Sequence, residues 1–184
     1  MSENVSINEC LKGYFAGFYD PITGIKTLSM KFSTGAAVLF SLAGSLVLYV
    51  LEVIARVIIL HDYMTVKMFF SIAFTSFMTY GILTFGVAGI AILVSTIQGS
   101  KRKYSELVSA ATMAIIPGAL IRTLWGRFGN MVESHAGSFF WALGTAYMAI
   151  LLFEHISDDN LSGRKRFLSA AIITAAAFAI AASY

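Results

Sequence analysis

The sequence predicts an all-α fold: a polytopic membrane helix bundle of five transmembrane helices preceded by amphipathic interfacial helices. Three observations carry that prediction. Of 184 residues, 58% are hydrophobic and only 12% charged, about half the charged share of a soluble domain. Mean hydropathy is +0.77. No Asp, Glu, Lys or Arg occurs in residues 32–51 or 68–100, and about 20 apolar residues suffice to cross a bilayer core. Five apolar runs alternate with connections too short to hold an extramembrane domain.

Residues 1–32 are expected to form an N-terminal interfacial segment and residues 33–184 the membrane domain. No secretory signal is predicted, because charges are scattered through the first 31 residues and the first apolar run starts at Phe32. Ile7, Leu11, Tyr14, Phe15 and Phe18 recur at helical spacing, with Asn8, Lys12 and Tyr19 opposite, which suits a helix lying in the membrane interface. Asp20 can cap a second short helix that starts at Pro21. Ile22, Ile25, Leu28 and Phe32 would form its apolar face. Cys10 is the single cysteine. One thiol makes no intramolecular disulfide, and it reads as a small apolar residue near the membrane surface.

The five spans are placed at about residues 33–54, 68–97, 105–121, 138–153 and 167–184. The second run is long, at roughly 45 Å of helix, and must tilt, protrude or bend. Gly81, Gly86 and Gly89 are its expected bend and close-packing points. In the third span Pro117 frees a carbonyl and kinks the helix, making it a hinge candidate. In the fifth, Ala171, Ala175, Ala179 and Ser183 place a small residue every fourth position, a helix-packing stripe. Trp125, Phe139, Phe140 and Trp141 flank spans as interfacial anchors.

With five spans, one side of the membrane receives nine of the thirteen Lys and Arg residues and the other receives four: Arg56, Lys67, Arg122 and Arg127. Cations are retained on the cytoplasmic side. The expectation is a cytoplasmic N-terminus and a C-terminus outside or in the lumen, in the cytoplasmic membrane if the source is prokaryotic. Within "GSKRKYSE", Gly99 would end the second helix, and Lys101 and Arg102 would face its negative C-terminal end. Ser105 would cap the third. Lys101, Arg102 and Lys103, with Arg164, Lys165 and Arg166, are candidates to bind anionic lipid or an acidic protein partner.

Glu52 and Arg56 stand four apart on one helix face. Read at the membrane surface they are a snorkelling pair; read inside the membrane they are a polar functional site. His61, His135 and His155 fall at three separate loops or span ends, so no metal site is expected. No Gly-rich phosphate loop, no Gly-x-Ser-x-Gly elbow and no intramembrane carboxylate pair is present. Catalytic residues, cofactors and a nucleic-acid partner are therefore not expected, and the chain is read as a non-enzyme.

The lead with Asp20-Pro21, the second span "GILTFGVAGIAIL", the run "GSKRKYSELVSAATMAIIP" and the fourth span "WALGTAYMAILLFEHI" resemble the Yip-domain family of Ypt-interacting proteins. With about 32 residues ahead of its first span, the chain looks like the compact prokaryotic members. The resemblance covers about residues 20–184. It implies five spans, a cytoplasmic N-terminus and a scaffold-like role, and no catalytic residues. The leading expectation is a scaffold or adaptor acting through lipids or a protein partner at its basic cytoplasmic face, with a homo-oligomer as one form of partner. The alternative is a small transporter or channel subunit, in which glycines and Pro117 break helices and Glu52 with Arg56 makes a polar site. A cavity reaching mid-membrane would favour that alternative.

Overall fold

The structure, a computed structural model, describes residues 5–59, 63–99, 102–132, 134–156 and 161–182. Every described element is helical: α1 (Ile7–Tyr19), α2 (Thr23–Ser29), α3 (Thr34–Ile54), α4 (Val66–Ile97), α5 (Tyr104–Leu120), α6 (Gly126–Val132), α7 (Ser134–Ile156) and α8 (Gly163–Ala182). π-helical turns continue α3 over Ala55–Ile59 and join α5 to α6 over Ile121–Trp125. Among the described residues, four helical stretches are long and apolar enough to cross a membrane: Thr34–Ile58, Val66–Ile97, Tyr104–Gly129 and His135–Ile156. The chain is thus a helical, multi-pass membrane protein. Lys101, His61 and Ser183 lie outside the described residues, as does the side chain of Ala179.

Local chemistry sets the helix ends. Ser6 and Glu9 form a reciprocal capping box on α1. The Ser33 and Thr65 hydroxyls accept the backbone N–H groups of Ala36 and Met68 and so start α3 and α4. Gly99, at φ +84°, stops α4 as expected. Two other end assignments need correction. Ser105 does not cap α5, which starts at Tyr104 after Lys103 with no side-chain cap; Ser105 is buried inside the helix. Asp20 does accept from the Thr23 backbone N–H at 3.2 Å and from its hydroxyl at 2.7 Å, but α2 starts at Thr23, two residues after Pro21.

α5 is the central helix. In its most apolar stretch 72% of residues are buried, against 28 to 33% in the other three. It packs on α7, α3, α4 and α1. Its side chains explain why. Ser105, Ser109, Ala110, Ala111, Ala114 and Gly118 are small and buried, and small residues let helix backbones approach closely when lipid supplies no hydrophobic drive. At the α5–α7 crossing, a Cβ on Gly118 would lie 2.5 Å from the Gly144 carbonyl oxygen.

α1 and α2 fold back over α5. α1 buries its small residues Gly13, Ala16 and Gly17, and leaves Ile7, Leu11, Phe15 and Phe18 exposed. Tyr14 stacks on Phe40 with ring centres 4.4 Å apart and donates to the Phe40 carbonyl at 2.9 Å. Burial pushes the Tyr14 hydroxyl up to about 12. The Tyr147 hydroxyl donates to the Gly17 carbonyl, and His155 Nε2 meets the Pro21 carbonyl. Of the apolar face expected on α2, Ile25, Leu28 and Phe32 are buried and Ile22 is exposed.

Two glycines of α4, Gly81 and Gly89, do not pack as expected. α4 runs unbroken for 32 residues, and nothing lies within 4 Å of a Cβ placed on Gly81 or Gly89. These two are not packing points. α8 packs on α4 and α7 through Ser169, Ala170 and Ile173, whereas Ala171 is half-buried and Ala175 exposed. The two described members of the stripe, Ala171 and Ala175, thus lie beside the residues that pack.

Candidate functional site

A cleft of about 660 Å³ opens at the end of the bundle formed by the C-terminal end of α3, the start of α4, α6 and the start of α7. Its floor is Leu83, Gly118 and Met148. By position these lie near the middle of the apolar stretches Val66–Ile97, Tyr104–Gly129 and His135–Ile156. The cleft thus runs from one end of the bundle to about half its depth.

One wall is a ladder of hydroxyls. Ser71, Thr75 and Thr79 recur every four residues on α4, with Ser76 and Tyr80 beside them. That spacing puts them on one helix face. α7 adds Ser138, Trp141 and Thr145, the last donating to the Trp141 carbonyl at 2.8 Å. Gly137 and Gly144 let α7 approach α5 and α6 closely: a Cβ on Gly129 would sit 2.6 Å from the Gly137 nitrogen.

Among the described residues, four charged side chains line the cleft. Glu52 Oε1 accepts from Arg56 Nε at 2.9 Å, and Arg127 grips the same carboxylate through Nη2 and through Nε at 3.3 Å. The i, i+4 pair read from the sequence exists, and its third member comes from α6. Arg122 stands apart from this triad, with its guanidinium carbon 4.5 Å above the centre of the Trp141 ring. Both π turns border the site, since Arg56 lies in the first and Arg122 and Thr123 in the second. A π turn inserts one residue into a helical turn and so re-aims the side chains around it.

The third span was expected to end at residue 121, which would leave Arg122 and Arg127 in a loop. The helix instead continues through the π turn and α6, and the apolar stretch reaches Gly129. Pro117 is buried at its centre, and the carbonyl it frees, that of Met113, precedes the π turn. It also touches α1: a Cβ on Gly17 would lie 2.3 Å from Pro117 Cγ.

The basic residues at the opposite end serve the scaffold in part. Arg102 donates to the His155 and Ile156 carbonyls at 3.0 and 3.2 Å, so it caps α7. A guanidinium there complements the negative C-terminal end of α7. Arg166 pairs with Glu154 at 3.3 Å. Lys103, Arg164 and Lys165 are exposed. Phe139, Phe140, Trp125 and Phe128 form an aromatic cluster by the cleft mouth.

Sequence reading missed the hydroxyl ladder, although "SIAFTSFMT" carries it in plain spacing. It also missed Arg127 and Arg122. No family model, curated protein or solved structure matches the chain.

Proposed function

We propose that the chain is a small membrane transport or binding protein whose cleft takes a polar solute from the non-cytoplasmic side. The observation that carries this reading is the cleft itself. It enters an apolar bundle to half its depth and is lined by hydroxyls and arginines, and polar groups placed there are costly unless they serve a ligand or one another. In this reading α8 is a fifth span, the N-terminus is cytoplasmic, and the basic end faces the cytoplasm. The test uses cysteines at Thr75 and Thr79 in a C10S background, reconstituted in liposomes. A membrane-impermeant maleimide should label both from the cleft side alone, and a panel of small solutes should include one that the wild type moves or binds. Labelling from neither side would sink the cleft reading.

A second reading, a Yip-like scaffold or adaptor, is favoured by the exposed Lys103, Arg164 and Lys165 at the basic end. Its likeness to that family rests on the quoted motifs alone. Charge reversal of these three should abolish co-purification of an anionic lipid or protein partner; unchanged co-purification counts against it.

A further inference from the structure

We propose that Arg122 is the ligand-binding group of the cleft and that its ligand carries an oxyanion, a carboxylate or a phosphate. This deepens the transport or binding reading and rests on it.

The three arginines of the cleft are not equivalent. Glu52 takes up Arg56 and Arg127 together. Among the described residues no carboxylate pairs with Arg122 and no protein acceptor takes its N–H groups; its one contact of this kind is the Trp141 ring. A guanidinium has five N–H donors in a planar fork and cannot shed its charge. Stacking on an aromatic face uses the plane of the fork and leaves its edge for hydrogen bonding. That edge matches a carboxylate or phosphate in bidentate geometry.

Position makes the unpaired state informative. Arg122 lies seven residues from the end of the candidate span Tyr104–Gly129, about 10 Å along the helix. Ionisable groups at such depth pair with one another or mark a solute path. Arg122 is aimed into the cleft from a π turn, the local geometry that the run from Pro117 into α6 provides. Among the described residues of the lining, three guanidiniums stand against one carboxylate, a positive excess that favours an anion at the site. Thr79 and Thr123 add hydroxyls to the same lining.

Size narrows the ligand further. About 660 Å³ falls in the range of small-molecule sites and exceeds what a halide needs. Below Arg122 the lining turns apolar with Leu83 and Met148. The cleft therefore fits a small amphiphile with its oxyanion at Arg122 and its apolar part on the floor. A soluble organic anion and the headgroup of an anionic lipid share this chemistry.

The chain has two tryptophans, so W125F leaves Trp141 as a reporter directly beneath Arg122. This variant in phosphatidylcholine nanodiscs is titrated with inorganic phosphate and with butyrate. A parallel sample carries phosphatidylglycerol in the disc. We expect a saturable change in Trp141 emission in at least one arm; the soluble arm assigns a free anion and the lipid arm a headgroup. R122Q should weaken it about tenfold or more, the worth of one charge-assisted bidentate contact. R122K, which keeps the charge and guards against misfolding of R122Q, should also weaken it, because an ammonium neither forks nor stacks. No saturable change in any arm, or equal affinity in W125F with and without R122K, overturns the assignment. Cysteine labelling at Thr75 and Thr79 separates the two levels: if it succeeds while the titrations fail, the cleft stands and the oxyanion falls.

Discussion

At the scale of single residues, Glu52 has the most to lose. Its side chain is 17% exposed, and those of Arg56 and Arg127 are 30% and 28% exposed. Removing the carboxylate leaves two guanidiniums facing each other with little water to screen them. A fully buried pair broken in this way costs about 3–5 kcal/mol, and partial exposure reduces the expected loss to about 2 kcal/mol for E52Q. R56Q should cost less than about 1 kcal/mol, since Arg127 keeps the carboxylate engaged. Thermal unfolding in mild detergent checks the order; R56Q falling further than E52Q would contradict the shared-carboxylate geometry. Glu9 supports a pH prediction. The Lys31 ammonium, bonded at 2.7 Å, and then the Ser6 backbone N–H hold its carboxyl down to about 2, from an ordinary value of 4.5. A depressed carboxyl stabilises fully above its unfolded value and loses that contribution as pH falls toward the folded one. Amide exchange over Ile7–Tyr19, corrected for intrinsic rates, should therefore rise between about pH 4.5 and 2. E9Q should show raised exchange already at pH 7 and no step in that window. Wild-type exchange in E9Q would remove the Glu9–Lys31 tie from the account of how α1 stays docked.

Among the elements, α5 decides the architecture, and its glycine contacts are the sensitive points. Gly118→Ala would press a methyl onto the Gly144 carbonyl and the Met148 Cβ, both at 2.5 Å. Backbone cannot yield as a flexible side chain does, so a loss of about 2–3 kcal/mol is expected. Gly81→Ala and Gly89→Ala meet nothing within 4 Å and should leave the melting temperature unchanged or slightly higher. If all three behave alike, the α5–α7 crossing is not where the structure puts it. The same contrast explains what the sequence could show. Long uncharged runs and caps such as Ser33 mark helices because bilayer thickness and backbone hydrogen bonding act locally along the chain. A glycine at a crossing and a glycine facing lipid have the same neighbours in sequence, so Gly89 passed for a packing point and Ala175 for part of a packing face. Arg56 was readable beside Glu52 at four residues; Arg127, 75 residues away, was not. Arg122 was hidden by a boundary. A proline in an apolar run suggests that the span is closing, and only the π turn after Leu120 shows that the helix recovers and carries two arginines within it.

For the molecule as a whole, the question is how charge sets orientation when one end also holds a site. Three of the four cations on the minority side, Arg56, Arg122 and Arg127, line the cleft. They are held there by Glu52 or by Trp141, and they do not sit in the short solvated loops that retain charge during insertion. The effective bias should thus exceed nine to four. Neutralising Arg122 and Arg127 should leave orientation unchanged. Neutralising Lys101, Arg102, Lys103, Arg164, Lys165 and Arg166 leaves three cations at the basic end against four at the other, and should yield a mixed or inverted population. A C-terminal fluorescent-protein fusion reports a cytoplasmic end, and a C-terminal phosphatase fusion reports an external one. With α8 crossing, the wild type should be phosphatase-active and dark, and the six-fold variant should gain fluorescence. A bright wild-type fusion would mean that α8, whose 20 residues make about 30 Å of helix, lies along the cytoplasmic surface and that the four apolar stretches are all that cross. The cleft and its arginines would keep their geometry in that case, since none of the described residues that line it comes from α8.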